Sequence, residues 1–321
     1  MSSTAVRAII LVFVCGPLFG FADVPNRSID VVPHWKKGER LSLEITRVRE
    51  RVVDGKSTVT GKTFTPFTLE VLSAADDGYL VGWTLGETKF DKDISAEESF
   101  LRQVVDIMKG HQIVLQIDPH GTITAVRNWK QLKDAALKTM DTILSGTTDT
   151  SKRKADPTLI AKLRAQSASM LATKEQVERL CTREAKLYFM VLGRHYALNE
   201  PLGYEDVLPN PLGGAAFPTQ ATFVMKSYDH KSEQAVIAWR QMPDPKETAR
   251  IREAMVKEMT SRLAGKKPPQ GAFSDTIAME DRAEMLVDVA AGWVNTLSHA
   301  RSLTIGHRAQ VDTTLIVRRV P

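Results

Sequence analysis

Apolar and polar positions alternate from residue 40 onward: in "ERLSLEITRVRERVVDGK" the apolar side chains Leu41, Leu43 and Ile45 fall on one face before Asp54-Gly55, a strong hairpin dipeptide. A second strand carries Phe67, Leu69 and Val71. Asp77-Gly78 turns the chain into a third, with Tyr79, Val81 and Trp83 on one face. The period then changes. Ser95 and Glu98 form a capping box ahead of a helical stripe of Phe100, Leu101, Val104, Val105 and Met108, which stops at Gly110. "QIVLQIDPHGTITAV" (Gln112–Val126) returns to period two as a hairpin, and a capped helix from Asn128 to about residue 146 is expected to bury Trp129, Leu132, Ala136, Met140 and Ile143.

The second half repeats this order. "TQATFVMKSYDHKSEQAVIAW" reads as strand, polar turn and strand, with Ala235, Ile237 and Trp239 matching the Trp83 strand. Asp244-Pro245 opens a helix through Ile251, Met255, Met259 and Leu263, the counterpart of the Ser95 helix. After the Lys266–Pro269 loop, "EMLVDVAAGWVNTL" gives strand, Asp-to-Gly turn and strand, the counterpart of the Asp118 hairpin. Between the halves lie a polar linker (147–155) and two helices, one capped by Asp156-Pro157 and reaching Leu171, one capped by Thr173 with Gln176 and reaching Leu192. The expected architecture is α+β: two related antiparallel sheet-plus-helix units (23–146 and 194–321) joined by a helical connector (147–193), arranged as a half-open barrel or clasp. Without a continuous strand-helix-strand alternation, a doubly wound parallel sheet is not expected.

Residues 1–22 read as a secretory signal: Arg7, an apolar run from Ala8 to Val14, and Gly20-Phe21-Ala22 before Asp23. The apolar run falls short of the roughly 20 residues needed to span a bilayer, so no transmembrane segment is expected in the mature chain. The expected location is secreted, or periplasmic in a Gram-negative source. A net charge of +5 over 321 residues, with cations and anions interleaved, lacks the basic stripe of a nucleic-acid binder. Once residues 1–22 are removed Cys181 is the remaining cysteine, which leaves no intramolecular disulfide.

Candidate chemistry is sparse. The seven histidines show no metal-ligand spacing, there is no GxSxG, P-loop or GxGxxG, and neither a cofactor nor a catalytic residue is assigned. Asp118-Pro119-His120-Gly121 has the composition of a turn, with Asp to accept a local hydrogen bond and Pro to preset a backbone angle. On the Thr173–Leu192 helix, Val177, Leu180, Cys181, Leu187, Tyr188 and Val191 form an apolar stripe with Glu184 at its centre. A carboxylate there must be paired, protonated or turned to a cavity. Six methionines between residues 225 and 285 suit either a core or an irregular apolar pocket. The candidate ligand-binding residues are therefore Glu184, Tyr188, Met255 and Met259.

"LPNPLGGAAFP" followed by a strand, a turn and "VIAW", behind a signal sequence, resembles uncharacterised bacterial secreted proteins, a resemblance that implies no activity. At the level of architecture, antiparallel sheet wrapped on helices looks like the periplasmic lipoprotein-carrier group, whose half-open barrels hold acyl chains. The function expected is a non-catalytic envelope protein that binds or carries an apolar, lipid-like ligand. A structural or assembly module binding a protein partner through its surface is the alternative, and a hydrolase built on Glu184 and His195 a minor one.

Overall fold

The computed structural model describes residues 28–91, 109–150, 157–208, 216–244, 277–305 and 307–319, together with isolated positions between 246 and 253. The predicted signal sequence, the Ser95 helix stripe, most of the Pro245 helix, the Lys266–Pro269 loop, Met255 and Met259 lie outside the described residues.

Fourteen strands are described: β1 (Ser28–Val31), β2 (Arg40–Val53), β3 (Lys56–Ala75), β4 (Gly78–Leu85), β5 (Lys89–Phe90), β6 (Gln112–Ile117), β7 (Ile123–Val126), β8 (Arg194–Ala197), β9 (Pro201–Leu208), β10 (Phe217–Asp229), β11 (Gln234–Pro243), β12 (Ile277–Asp288), β13 (Trp293–Ile305) and β14 (Arg308–Arg319). The helices are α1 (Trp129–Thr150), α2 (Pro157–Met170), α3 (Lys174–Cys181) and α4 (Arg183–Phe189). Strands dominate, so the fold is mainly β rather than a balanced α+β. The two expected sheets are one. Twelve strands form a single antiparallel sheet in the order β7-β6-β4-β3-β2-β14-β13-β12-β11-β10-β9, with β5 attached to β3, and it does not close into a barrel.

Taken from β9 to β14 and then from β2 to β7, the sheet is an up-and-down meander in which neighbours in space follow one another in sequence, apart from β5, which leaves the row to pair with β3, and one long-range joint. That joint is β14 on β2, paired in register from Arg308↔Val53 to Arg319↔Ser42. Trp83 lies on the third strand of its half and Trp239 on the third of the other, each against a phenylalanine of the preceding strand: Phe67–Trp83 at 4.4 Å and Phe223–Trp239 at 6.3 Å between centroids.

One face of the sheet carries the core. Leu41, Leu43, Ile45, Leu69, Trp83, Leu115, Ala221, Phe223, Ile237, Met285, Leu297 and Ile316 are buried there in one cluster with Tyr188 and Phe189 of α4. The sheet therefore curls around α4, which touches β4 through Tyr188 against Trp83 (6.0 Å) and β13 through the Tyr188 hydroxyl, which donates to the Val294 carbonyl (2.7 Å).

The turns joining β3 to β4, β6 to β7, β10 to β11 and β12 to β13 share one end of the sheet, and the segment 32–39 packs across it. Trp35 Nε1 donates to the Gly292 carbonyl (3.2 Å), its ring stacks on Trp293 at 4.2 Å, and it also meets Tyr79 and Phe189. The Tyr79 hydroxyl donates to the Pro33 carbonyl (3.0 Å). Residues from both halves are thus tied to one segment that sequence patterning leaves as an irregular start.

Three local expectations change. The helix expected to end near 146 continues to Thr150, into the segment read as linker. The Asn128 carbonyl accepts the first helical bond, from Leu132 N–H (3.1 Å), but the Asn128 side chain does not cap the helix. Its carboxamide accepts from Val114 N–H (2.9 Å) and donates to the Gln112 carbonyl (2.7 Å), extending the edge of β6 instead. The helix expected over Thr173–Leu192 begins with the predicted capping box, Thr173 with Gln176, but breaks at Thr182. The Thr182 hydroxyl and N–H both reach the Glu178 carbonyl (2.7 and 2.9 Å), so the residue bonds back and ends α3 there. The break redirects the stripe: Leu180 is 52% exposed, while Ala185 and Phe189 are buried in its place.

Gly292 and Gly55 both hold positive φ (69° and 76°), but a Cβ at Gly292 would lie 2.3 Å from the Val32 carbonyl oxygen, whereas one at Gly55 would meet nothing within 4 Å. Gly55→Ala is expected to cost about 1 kcal/mol, the backbone penalty alone, and Gly292→Ala at least about 2 kcal/mol more, because segment 32–39 must move. Urea midpoints of the two variants check this; equal losses would mean that the segment does not press on the turn.

Candidate ligand site on the inner face of the sheet

Alternation on the core face of β12 runs Met279, Asp281, Ala283, Met285, and on β13 it runs Leu297, His299, Arg301, Leu303. Two neighbouring strands therefore turn polar side chains inward at the same level. The register extends that level across the sheet: Gln241 faces Asp281, Asp281 faces Arg301, Arg301 faces Asp312 and Asp312 faces Arg49. The result is a polar belt crossing five strands inside an otherwise apolar surface.

Its centre is closely bonded. Arg301 holds Asp281 in a fork, Nε to Oδ1 at 2.8 Å and Nη2 to Oδ2 at 2.6 Å. Gln241 Nε2 donates to Thr219 Oγ1 (2.7 Å), and Arg49 Nε donates to Asp312 Oδ1 (2.7 Å). Asp281 is 2% exposed and Arg301 30%, so the belt passes from the buried interior at β12 toward solvent at β14 and β2. His299 Nε2 is 3.4 Å from Asp281 Oδ2 but lacks the alignment of a hydrogen bond, which leaves it a buried polar atom without a hydrogen-bond partner.

Burial alone would push the Asp281 carboxyl up. The paired hydrogen bonds and the charge of Arg301, with His299 close by, outweigh it and hold that carboxyl below the ordinary carboxylate range. On the far side of the belt from the main core, Leu208, Phe217 and Met279 form a second apolar cluster with Leu303 against it. From the turn end outward, the inner face is apolar, then polar, then apolar again.

The residues anticipated from sequence have other partners. Arg47 Nη2 donates to Glu184 Oε1 at 2.8 Å, with Arg47 34% and Glu184 23% exposed. The carboxylate at the centre of the stripe is thus ion-paired at a half-buried edge, and removing its charge strands a cation that water still reaches, a smaller loss than for a fully buried pair. Tyr188 is wholly buried in the core, its hydroxyl bonded to Val294 and its ionisation pushed far up by burial. His195 is exposed and pairs with Asp30 (2.9 Å), so it and Glu184 are each engaged elsewhere. Cys181 is buried with its thiol pushed up to about 11 by desolvation, an inert packing group. The Asp118 carboxylate accepts from the N–H groups of His120 (3.0 Å) and Thr122 (2.8 Å), so it is used in building the turn. Met225 and Met285 are fully buried, while Met242 is 40% exposed. Among the described residues no cluster of His, Cys, Asp and Glu could hold a metal ion.

The opposite face of β10–β13 bears an open groove of about 690 Å³. Its floor is of small side chains, Thr222, Val224, Ala238 and Ala300, and Arg240 and Arg282 stand directly opposite each other beside it.

No family model matches the chain, and no curated protein matches it. Among solved structures, the dehydratase domain from the CurJ module of curacin polyketide synthase aligns at 8% identity over 86% of this chain and 75% of that chain, with a TM-score of 0.09, too low to carry any argument.

The belt generates a pH prediction. A carboxyl held below its unfolded value, about 3.9 for Asp, stabilises the fold above that value and ceases to do so as pH falls through its folded value. Stability is therefore expected to fall below about pH 4 partly through Asp281. Asp281→Asn, which strands Arg301, is expected to cost about 2–4 kcal/mol at pH 7 and to flatten the acid limb. Urea midpoints from pH 7 downward check this; an acid limb unchanged in the variant would remove Asp281 as a source.

Proposed function

We propose that this chain is a non-catalytic envelope protein that holds an apolar or amphiphilic ligand against the inner face of its unclosed sheet, at the end away from the Trp35 segment. The observation that carries this reading is the second apolar cluster of Leu208, Phe217, Met279 and Leu303, set apart from the main core by a polar belt. A fold needing only stability would gain by continuing its apolar core through that level, because a buried ion pair seldom stabilises more than well-packed apolar side chains of the same volume. Secretion, periplasmic in a Gram-negative source, is the location suggested by the signal-like residues 1–22; among the described residues no helix is long and apolar enough to cross a membrane.

A second reading is favoured by the outer groove, whose small-residue floor and flanking arginines suit a partner protein laid across β10–β13. One experiment separates the two. The full chain, exported and purified from a bacterial host, is expected to carry a one-to-one lipid adduct in native mass spectra, lost in Leu303→Arg and kept in Ala238→Arg. The opposite pattern would move the site to the outer groove. Protein free of any adduct that also takes up no added fatty alcohol or fatty acid would end the ligand-binding reading.

A further inference from the structure

On the outer face of the sheet the register sets two rungs of side chains across the groove between β10 and β13. One rung runs Val224, Ala238, Glu284 and Ser298; the next runs Thr222, Arg240, Arg282 and Ala300. Arg240 and Arg282 are therefore direct cross-strand neighbours, a placement in which Cβ atoms lie about 5 Å apart and like charges destabilise the sheet. Lys226 adds a third cation to the lining of the same groove. Thr222 and Ala300, at the ends of the arginine rung, offer neither guanidinium a counter-charge.

Nearby carboxylates leave the pair unmatched. Glu280 Oε1 accepts from Arg240 Nε at 2.6 Å, which grips Arg240 at its inner nitrogen and leaves both terminal nitrogens available. Arg282 is exposed and, among the described residues, neither it nor Lys226 forms an ion pair. Glu284 sits one two-residue step, about 7 Å, along the strand from Arg282 and is likewise unpaired among the described residues. Two free forks side by side over a groove of about 690 Å³ define what fits. A carboxylate has two oxygens in one plane, which a single guanidinium already fills, as Arg301 does with Asp281 on the opposite face. A phosphate monoester presents three terminal oxygens in a tetrahedron and, above its second ionisation near about pH 6, close to two negative charges. It gives each guanidinium its own edge and balances both. Glu284 on the next rung repels a second anionic group there, while Val224, Ala238 and Ala300 present short side chains on which an uncharged organic group can lie.

We propose that Arg240 and Arg282 form a binding site for the phosphate group of a small monoester, whose apolar organic part lies on the Val224, Ala238 and Ala300 floor of the outer groove. The site goes beyond the inner-face ligand and the partner protein considered above and depends on neither.

Calorimetric titration of the full chain at about pH 8 with octyl phosphate, octanoate and inorganic phosphate, each below micelle formation, tests this. Octyl phosphate is expected to bind about tenfold more tightly than octanoate, the worth of one further charge-assisted hydrogen bond at an exposed site, and more tightly than inorganic phosphate. Arg282→Gln is expected to keep or raise the melting temperature of the unliganded protein, since it relieves a like-charge contact, and to abolish the preference for phosphate over carboxylate. Arg282→Lys, which keeps the charge and loses the fork, is expected to retain part of it. Inorganic phosphate binding as tightly as octyl phosphate would keep the oxyanion site, assign it to free phosphate and overturn the place given to the organic group. Equal binding of octyl phosphate and octanoate, a preference unchanged in Arg282→Gln, or no binding by any of the three would overturn the site. None of these outcomes bears on the inner-face ligand, whose test is the adduct lost in Leu303→Arg.

Discussion

Everything in this fold depends on the pairing of β14 with β2. Eleven strands follow one another across the sheet as a meander, with β5 set aside on β3, except where the last strand of the chain meets the first long one. Without that pairing the molecule is two short open sheets, neither of which could bury both sides of α4, since Glu184 reaches Arg47 on β2 and Tyr188 reaches Val294 on β13. The joint is also the most non-local contact available to the chain, so its loop-closure entropy must be met by many contacts made at once. Trp35 supplies part of these at the turn end, where it packs on Trp293 of one half and Tyr79 of the other.

Local rules made the hairpins legible. Asp54-Gly55, Asp77-Gly78 and the Asp118 and Asp288 turns sit where Gly takes positive φ, the carboxylates of Asp118 and Asp288 accept from following N–H groups, and Thr173 with Gln176 forms its box. What local rules could not give is the partner across a joint, because period two says which face a residue takes and is silent on which distant strand lies beside it. Hence two expected units became one sheet, and Trp35 went unnoticed in an irregular segment. The break at Thr182 was hidden as well, since a threonine that bonds back to the preceding turn looks like any helical residue in a 3.6-residue pattern.

The candidate site shows the same division. Glu184 stood out because it interrupts a helical stripe, and it turned out to be matched by Arg47 from β2, a pairing no helix pattern reveals. Asp281 and His299 also interrupt apolar alternation, in "MEDRAEMLV" and "TLSHARSL", and counting inward positions back from Met285 and Leu297 would have exposed both. The signal was present but split between two strands, each with a single odd residue; only their register turns two minor exceptions into one belt. That belt divides the inner face into an apolar part around α4 and a second, smaller buried apolar part around Met279, and this division underlies the functional reading.

The claim most exposed to test is that the two halves are one cooperative sheet joined at β14 and β2. Native-state amide hydrogen exchange addresses it directly, since amides released only by global unfolding share the free energy of the whole fold. Amides of the β14–β2 ladder, around Ile316 and Ile45, are expected to exchange with the same free energy and denaturant dependence as those of β12 and β13. Exchange of this ladder at a much lower free energy than the cores of both halves would show two independently stable units leaning on each other, and would contradict the account.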